Sequence, residues 1–467
     1  MERRVLVAIF LSFIVLYAYQ AFVVKPAPKP PAPGAPTAQG GGRSTPAPAA
    51  ASPTPQIAPV APPTSPATAA ATIVGDSVER DVRVETRDVI AVFTNRGARL
   101  KSWRMKKYFD QERKPQELVE NQLASQPLPF TLSTADAQLD ATLNGALYTA
   151  SAAPASEITS PTDLRFEYRD ASGVRAVKIF HFVPDSYIVG VNIDVAAGQR
   201  TLIPNIAWGP AVGDIAEISR YTQRAEGLLY QNGKVQRLSA KDLGKQPVYE
   251  GDFFFAGVDD NYFMTVALAA GPSKVTYQPV TIPPPVGSKD ATRELVSYSV
   301  EPKRPGTVQF FAGPKDFDVL AAISPDATRA INFGMFAVIV VPLLRSLKWI
   351  HGYVPNYGWD IIVLTVIINI LILPFRHMSV VSMRKMQAIQ PEVKAIQDRY
   401  AKYKATDPAK QKMNQEMMAL YKERGVNPAG GCIPILLTFP LIFAFYALLS
   451  TAIELRGAPF IGWIHDL

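Results

Sequence analysis

The residue whose chemistry is most conspicuous for its setting is Asn369, inside the apolar run Tyr357–Phe375. A polar side chain at the centre of a membrane span is costly and normally faces protein or a water-filled interior, so it marks a functional position. Arg376 follows seven residues later, on nearly the same helical face and roughly 10 Å further along, while Thr365 shares that face one turn the other way. Asparagine offers hydrogen bonds without charge; arginine adds a fixed positive charge. A stripe of this kind can accommodate a polar peptide within hydrocarbon. The competing reading is that Asn369 merely hydrogen-bonds a neighbouring helix.

Covalent chemistry finds little support. The four histidines, His181, His351, His377 and His465, resemble no metal-binding spacing. Asp259-Asp260 suggests a carboxylate pair, but its place between two strand-like runs reads more simply as a turn. Trp208 and Phe253–Phe255 suit a ligand groove or, equally, a sandwich core. No serine–histidine, paired-aspartate or metal motif lies in the spans. The chain is therefore expected to be no enzyme and to use no cofactor or metal. Its single cysteine, Cys432, excludes an intrachain disulfide.

The elements that must position the stripe follow from composition. After Arg376, residues Met378–Pro428 carry ten Lys/Arg against five Asp/Glu. Met383, Met386, Ile389, Val393, Ile396 and Tyr400 recur at helical intervals, interrupted by Pro391. Asp407-Pro408 is an N-cap and first-turn pair opening a second helix with Met413, Met417, Leu420 and Tyr421 on one side, ended by Gly425. The result is a basic helical hairpin over 376–429. Its methionines either glue the two helices together or form a pliable docking surface for apolar segments. Its basic surface, Arg384 and Lys385 included, suits anionic lipid headgroups or ribosomal RNA, with no signature of sequence-specific nucleic-acid binding.

Other segments complete a membrane layout. Residues 1–24 contain the uncharged run Val5–Val24, long enough to cross a bilayer and lacking an Ala-x-Ala site, so a retained anchor is expected rather than a cleaved signal. Residues 25–72 are rich in Pro and Ala and read as a mobile, disordered tether. Residues 73–325 contain short β-rich runs, such as Val89–Thr94, Val174–Val183 and Tyr187–Val195, several alternating in polarity as Val174–Phe182 does, bounded by turns like Asn95-Arg96-Gly97 and Asn232-Gly233. A large β-sandwich follows. Residues 326–356 are apolar but contain Pro342 and end in Arg345, Lys348 and Trp349, which suits a helix lying in the headgroup plane. Parity supports that placement: basic loops stay in the cytoplasm. The spans are then 1–24, 357–375 and 430–456, with the N-terminus inside, the β-domain outside, the hairpin inside and 457–467 outside.

At this point the C-terminal blocks become recognisable. Gln415-Glu416-Met417-Met418-Ala419-Leu420-Tyr421-Lys422, Val426-Asn427-Pro428-Ala429-Gly430-Gly431-Cys432-Ile433-Pro434, Glu454-Leu455-Arg456-Gly457-Ala458-Pro459-Phe460 and Trp463-Ile464-His465-Asp466-Leu467 resemble the YidC insertase family of Gram-negative bacteria. The resemblance implies a multi-domain inner-membrane protein: a periplasmic all-β supersandwich plus an α-helical transmembrane core with a cytoplasmic hairpin. It further implies insertion and folding of nascent membrane proteins, alone or with the Sec translocon, through a hydrophilic groove open to cytoplasm and lipid. Asn369 stands where many members place arginine, so Asn369 is expected to supply polarity and Arg376 charge at the groove mouth, with Thr365 beside them and Thr438 on the facing wall. The family also has further spans, so the chain is expected to be a piece of a longer protein. The alternative is a membrane-anchored periplasmic binding or chaperone module without insertase activity.

Overall fold

The computed structural model describes residues 71–110, 112–120, 126–154, 156–210, 225–268, 271–282, 293–403, 407–426, 433–464 and 467. The expected anchor, nearly all of the tether and Cys432 lie outside these residues. Residues Thr68–Leu467 form one compact unit.

Within it, antiparallel sheets of eleven, five and four strands enclose an aromatic core. Alternation explains how. In the strand Val174–Phe182, Ala176, Lys178, Phe180 and Phe182 point inward, while Arg175 and His181 face solvent. This strand pairs with Ile188–Ala197 in a continuous antiparallel register from Phe182↔Val189 to Val174↔Ala197. Phe93, on the four-stranded sheet, meets Phe180 of the eleven-stranded sheet at 4.5 Å between ring centroids. Phe130 contacts both Trp208 and Phe310 edge-on, and Trp103 donates its indole N–H to the Ala312 carbonyl at 2.9 Å. Trp208, Phe253 and Phe255 are buried in this core. Asn232 and Gly233 both have positive φ, the conformation that closes a two-residue hairpin.

The inward place of Lys178 is the exception to an apolar core, and the side chain is fully buried. Its ammonium donates to the carbonyls of Gly97 at 2.7 Å, Ala98 at 3.3 Å and Phe130 at 2.7 Å. All three residues have positive φ, so the lysine collects carbonyls from two tight left-handed turns. Burial pulls its pKa well below the ordinary lysine value.

Seven α-helices occur among the described residues: α1 (Ala137–Gly145), α2 (Ala240–Leu243), α3 (Phe317–Ile323), α4 (Ala337–His351), α5 (Tyr357–Arg399), α6 (Pro408–Glu423) and α7 (Ile433–Thr451). The segment expected to be helical from Ala327 instead makes two 3-10 turns, Ala327–Ala330 and Gly334–Phe336, before α4 begins. Gly334 has φ +64°, which no right-handed helix accommodates. The expected boundary between span and hairpin at residue 375 is also absent from the backbone. α5 runs unbroken for 43 residues through Pro374 and Pro391.

Replacing Lys178 by methionine keeps the side-chain length but leaves three buried carbonyls without their donor, each costing about 1–3 kcal/mol. Thermal unfolding of the purified chain, followed by tryptophan fluorescence, is expected to shift down by several degrees. An unchanged melting temperature would remove Lys178 as the keystone of the two turns.

Candidate functional site

The helical site is built from the outer end of α5 inward. Asn356 caps the helix, accepting from the Gly358 and Trp359 amides, and also donates to the Phe460 carbonyl at 3.0 Å. Gly358 is required here: a Cβ on it would lie 2.1 Å from the Phe460 ring. Asp360 is fully buried one turn below, with its Oδ2 2.6 Å from His351 Nδ1 at the end of α4. The His351 ring stacks on Tyr357 at 3.7 Å. These contacts fold α4 back against α5.

Leu364 then packs inward, and the polar stripe begins beside it. Thr365, Asn369 and Arg376 fall within about 40° of arc at 100° per residue. All three are exposed. Asn369 Nδ2 donates to the Thr365 carbonyl at 2.8 Å, and the Thr365 hydroxyl donates to the Ile361 carbonyl at 2.7 Å. Asn369 therefore bonds its own helix at this contact, and its exposed face stays available. Pro374 adds to the local polarity: lacking an N–H, it leaves the Ile370 carbonyl without its i+4 donor. A hydroxyl, a carboxamide and a released carbonyl thus lie within two turns of an apolar helix. Around them Ile362, Val366, Ile370 and Leu373 are exposed.

α7 supplies the neighbouring helix. Thr438 is half-buried, Ala444 and Leu448 are buried, and Phe439, Ile442, Phe443 and Tyr446 present an apolar exposed face. α4 contacts both α5 and α7, and α5 contacts α7.

The hairpin divides the methionines that the sequence groups together. Met386 and Met417 pack around Ile389, Val393 and Val426 between α5 and α6. Met413 is half-buried, whereas Met383, Arg384 and Lys385 are exposed. Asp407 caps α6 by accepting from the Ala409 amide, and Gly425 ends it at φ +59°. Arg424 makes a two-pronged ion pair with Glu392, and Tyr400 donates to Glu416 at 2.7 Å.

Sequence reasoning assigned no role to the junction between the sheets and the helices. Asn261, in the turn after Asp259-Asp260, donates to the Ser450 carbonyl at the end of α7. Arg456 donates to the Phe109 carbonyl at 2.7 Å and to Gln116 Oε1 at 2.9 Å, and lies over the rings of Tyr262 and Phe263. Lys348 on α4 pairs with Asp318 and Glu454, each at 2.7 Å, and with Asp316 at 3.5 Å. These charged residues are visible in the sequence, but their partners lie too far apart along the chain to be matched. Asp259-Asp260 is indeed a turn: Asp260 accepts from the Tyr262 and Phe263 amides. Among the described residues no cluster of three or more His, Cys, Asp or Glu is arranged to hold a metal ion.

A large sheet domain set on apolar helices that carry a polar stripe defines a membrane protein with an extramembrane β-domain. Residues 81–346 match the family described as YidC periplasmic domain, and residues 349–467 match the 60Kd inner membrane protein family. The chain belongs to the YidC family. A Geobacter metallireducens protein named membrane protein insertase YidC is 32% identical over 477 residues, covering all of this chain and 85% of that relative. A protein of the same name from Citrifermentans bemidjiense is 34% identical, covering all of this chain and 86% of the relative. A crystal structure of an active YidC insertase with its first transmembrane domain resolved aligns with 85% of this chain and 78% of its own, at 17% identity and a TM-score of 0.27. The matched families make this an inner-membrane protein with a periplasmic domain.

The junction carries a pH dependence. Burial pushes the Asp260 carboxyl up to about 7. Because the folded value exceeds the unfolded one, this group's stabilising contribution is complete below the unfolded pKa and is lost as pH rises through about 7. Asp260→Asn keeps an acceptor for the two amides and removes the ionisation. Its stability relative to the parent is expected to rise between pH 5 and pH 8 by on the order of 3 kcal/mol. Parallel pH–melting curves for the two proteins would contradict this.

Proposed function

We propose that the chain is a membrane protein insertase that also assists folding of inner-membrane proteins, alone or with the Sec translocon. The observation that carries this reading is the exposed stripe Thr365, Asn369 and Arg376 on an otherwise apolar helix. A polar niche lowers the cost, several kcal/mol per unsatisfied group, of drawing the polar flank of an incoming chain into hydrocarbon. The chain's own apolar segment gains by leaving water for lipid, along the exposed faces of α5 and α7. Asn369 and Thr365 supply hydrogen bonds, Arg376 supplies charge at the cytoplasmic mouth, and Thr438 on α7 stands as the facing wall. Relatives named as insertases, matched over the whole of this chain, support the same reading.

The arrangement in the membrane is multi-pass. The N-terminus is cytoplasmic, the β-domain periplasmic, and α5 and α7 cross in opposite directions. α4 lies in the headgroup plane: its 15 residues extend only about 22 Å, less than the roughly 30 Å hydrocarbon core. Trp349, Tyr353, Trp359 and Trp463 are exposed around the outer helix ends, as aromatic side chains at a membrane interface are. The hairpin, with exposed Met383, Arg384 and Lys385, faces anionic lipid and the ribosome on the cytoplasmic side, while half-buried Met386 and Met417 pack its two helices together. Nascent membrane proteins are the substrates.

Two measurements test this. A cysteine placed beside Arg399 should be labelled only after the inner membrane is made permeable; labelling from the periplasm would overturn the topology. Asn369→Leu combined with Arg376→Ala should reduce insertion of a short substrate with a polar flank by about tenfold or more, each replacement contributing. Unchanged insertion in both single variants and the double variant would favour the anchored-module alternative.

A further inference from the structure

Lys348 occupies a position that its sequence neighbours do not explain. It projects from α4 into a cluster of three carboxylates drawn from two other segments. Asp316 caps α3 at the end of the β-domain, accepting from the Asp318 and Val319 amides. Asp318 lies on the first turn of α3, 2.7 Å from the lysine ammonium. Glu454 comes from the 3-10 turn Ile453–Leu455 that follows α7, also 2.7 Å away and almost fully buried. Ile453 and Leu455, on either side of it, are buried at 2% exposure, so the glutamate is presented from a fixed backbone. Without Lys348, the shielded carboxylates of Asp316 and Glu454 would face each other with no cation between them. Breaking a buried pair by removing one partner is far more disruptive than losing a surface ion pair.

α4 also touches both α5 and α7. Its attachment to the turn after α7 therefore fixes where the outer end of α7 stands relative to α5, the helix that carries Asn369. We infer that Lys348 is a positioning residue for insertion: it pins the outer end of α7 to α4 and the β-domain, setting the separation of the two spans that flank the polar stripe. The inference rests on the insertase reading for its functional half and on ion-pair geometry for its structural half.

The test uses the full-length protein reconstituted in liposomes of inner-membrane lipid, with a single-span substrate made by in vitro translation. Three variants are compared with the parent: Lys348→Met, Lys348→Glu, and Lys348→Glu combined with Glu454→Lys. The last preserves one lysine among three carboxylates. Lys348→Met is expected to lower insertion about fivefold and Lys348→Glu more, with the exchange restoring it to within about twofold of the parent. Cellular abundance and protease resistance of the β-domain should stay near parental values throughout. In parallel, spin labels at Trp349 and Ala458 report the spacing of α4 from the turn after α7. That distance distribution should broaden in both single variants and narrow again in the exchange.

Normal insertion by Lys348→Met, or an exchange no better than Lys348→Glu, overturns the positioning role. Loss of abundance in step with loss of insertion also overturns it, leaving a stability role alone. If the parent itself fails to insert the substrate, the insertase reading falls, and the spin-label distances then decide the clamp: an unchanged distribution in Lys348→Met overturns it.

Discussion

Lys178 is the interaction on which the β-domain turns. A lysine with no exposure and no carboxylate in its hydrogen-bond set is ordinarily a fault in a core. Here it is the common donor for carbonyls at Gly97, Ala98 and Phe130, which sit in backbone conformations that point them inward. Those turns place Phe93 and Phe130 against Phe180. The aromatic core and the tight turns around it thus meet at one buried lysine. The same accounting governs the helices. Asn369, on an otherwise apolar helix, bonds a carbonyl of its own helix, and Arg456 at the junction bonds the carbonyl of Phe109. In each place backbone oxygen is the acceptor that makes a polar side chain tolerable.

The junction gives the helices a foundation. Asn261 bonds the last turns of α7, Lys348 joins the turn after it to α3, and Arg456 reaches out from that turn to the sheets. On the other side, Asn356, Gly358 and Phe460 interlock the start of α5 with the segment after α7. The start of α5 and the end of α7 are therefore cross-braced at the β-domain, whereas further along α5 Ile370, Leu371 and Leu373 are exposed. Bracing is concentrated beside the β-domain, and the exposed apolar faces lie away from it. That asymmetry is what a protein must have if it admits segments from one side without opening to the other.

Much of the fold was legible in the sequence where one periodicity held. Val174–Phe182 stands out by alternating polarity and Val89–Thr94 by its β-branched and aromatic run, and the structure has strands there. Arg99–Phe109, the long strand that follows, escaped because a register shift in its pairing with Val89–Thr94 puts Leu100 and Trp103 inward three residues apart. The unbroken α5 was hidden by its prolines. Each proline removes one amide and reads as a stop, yet the 43-residue helix continues through both. For the site, residue type alone singled out Asn369, but its partner, a carbonyl four residues back, has no signature in sequence. Lys348 and Glu454 are 106 positions apart in the chain and meet only because α4 folds back beside α7. Local pattern shows which face is buried; it does not show which charge will be waiting there.

The continuity of α5 makes the helix a ruler. At 1.5 Å per residue its 43 residues measure about 64 Å, roughly twice the hydrocarbon thickness. For a bilayer that α5 crosses from Trp359 and Asp360 onward, about half the rod stands clear of the far side. The height of the hairpin above the lipid is then set by counting residues, not by a flexible joint. Inserting or deleting a single residue between Asn369 and Arg399 would swing the hairpin by about 100° around the bilayer normal while barely changing its reach.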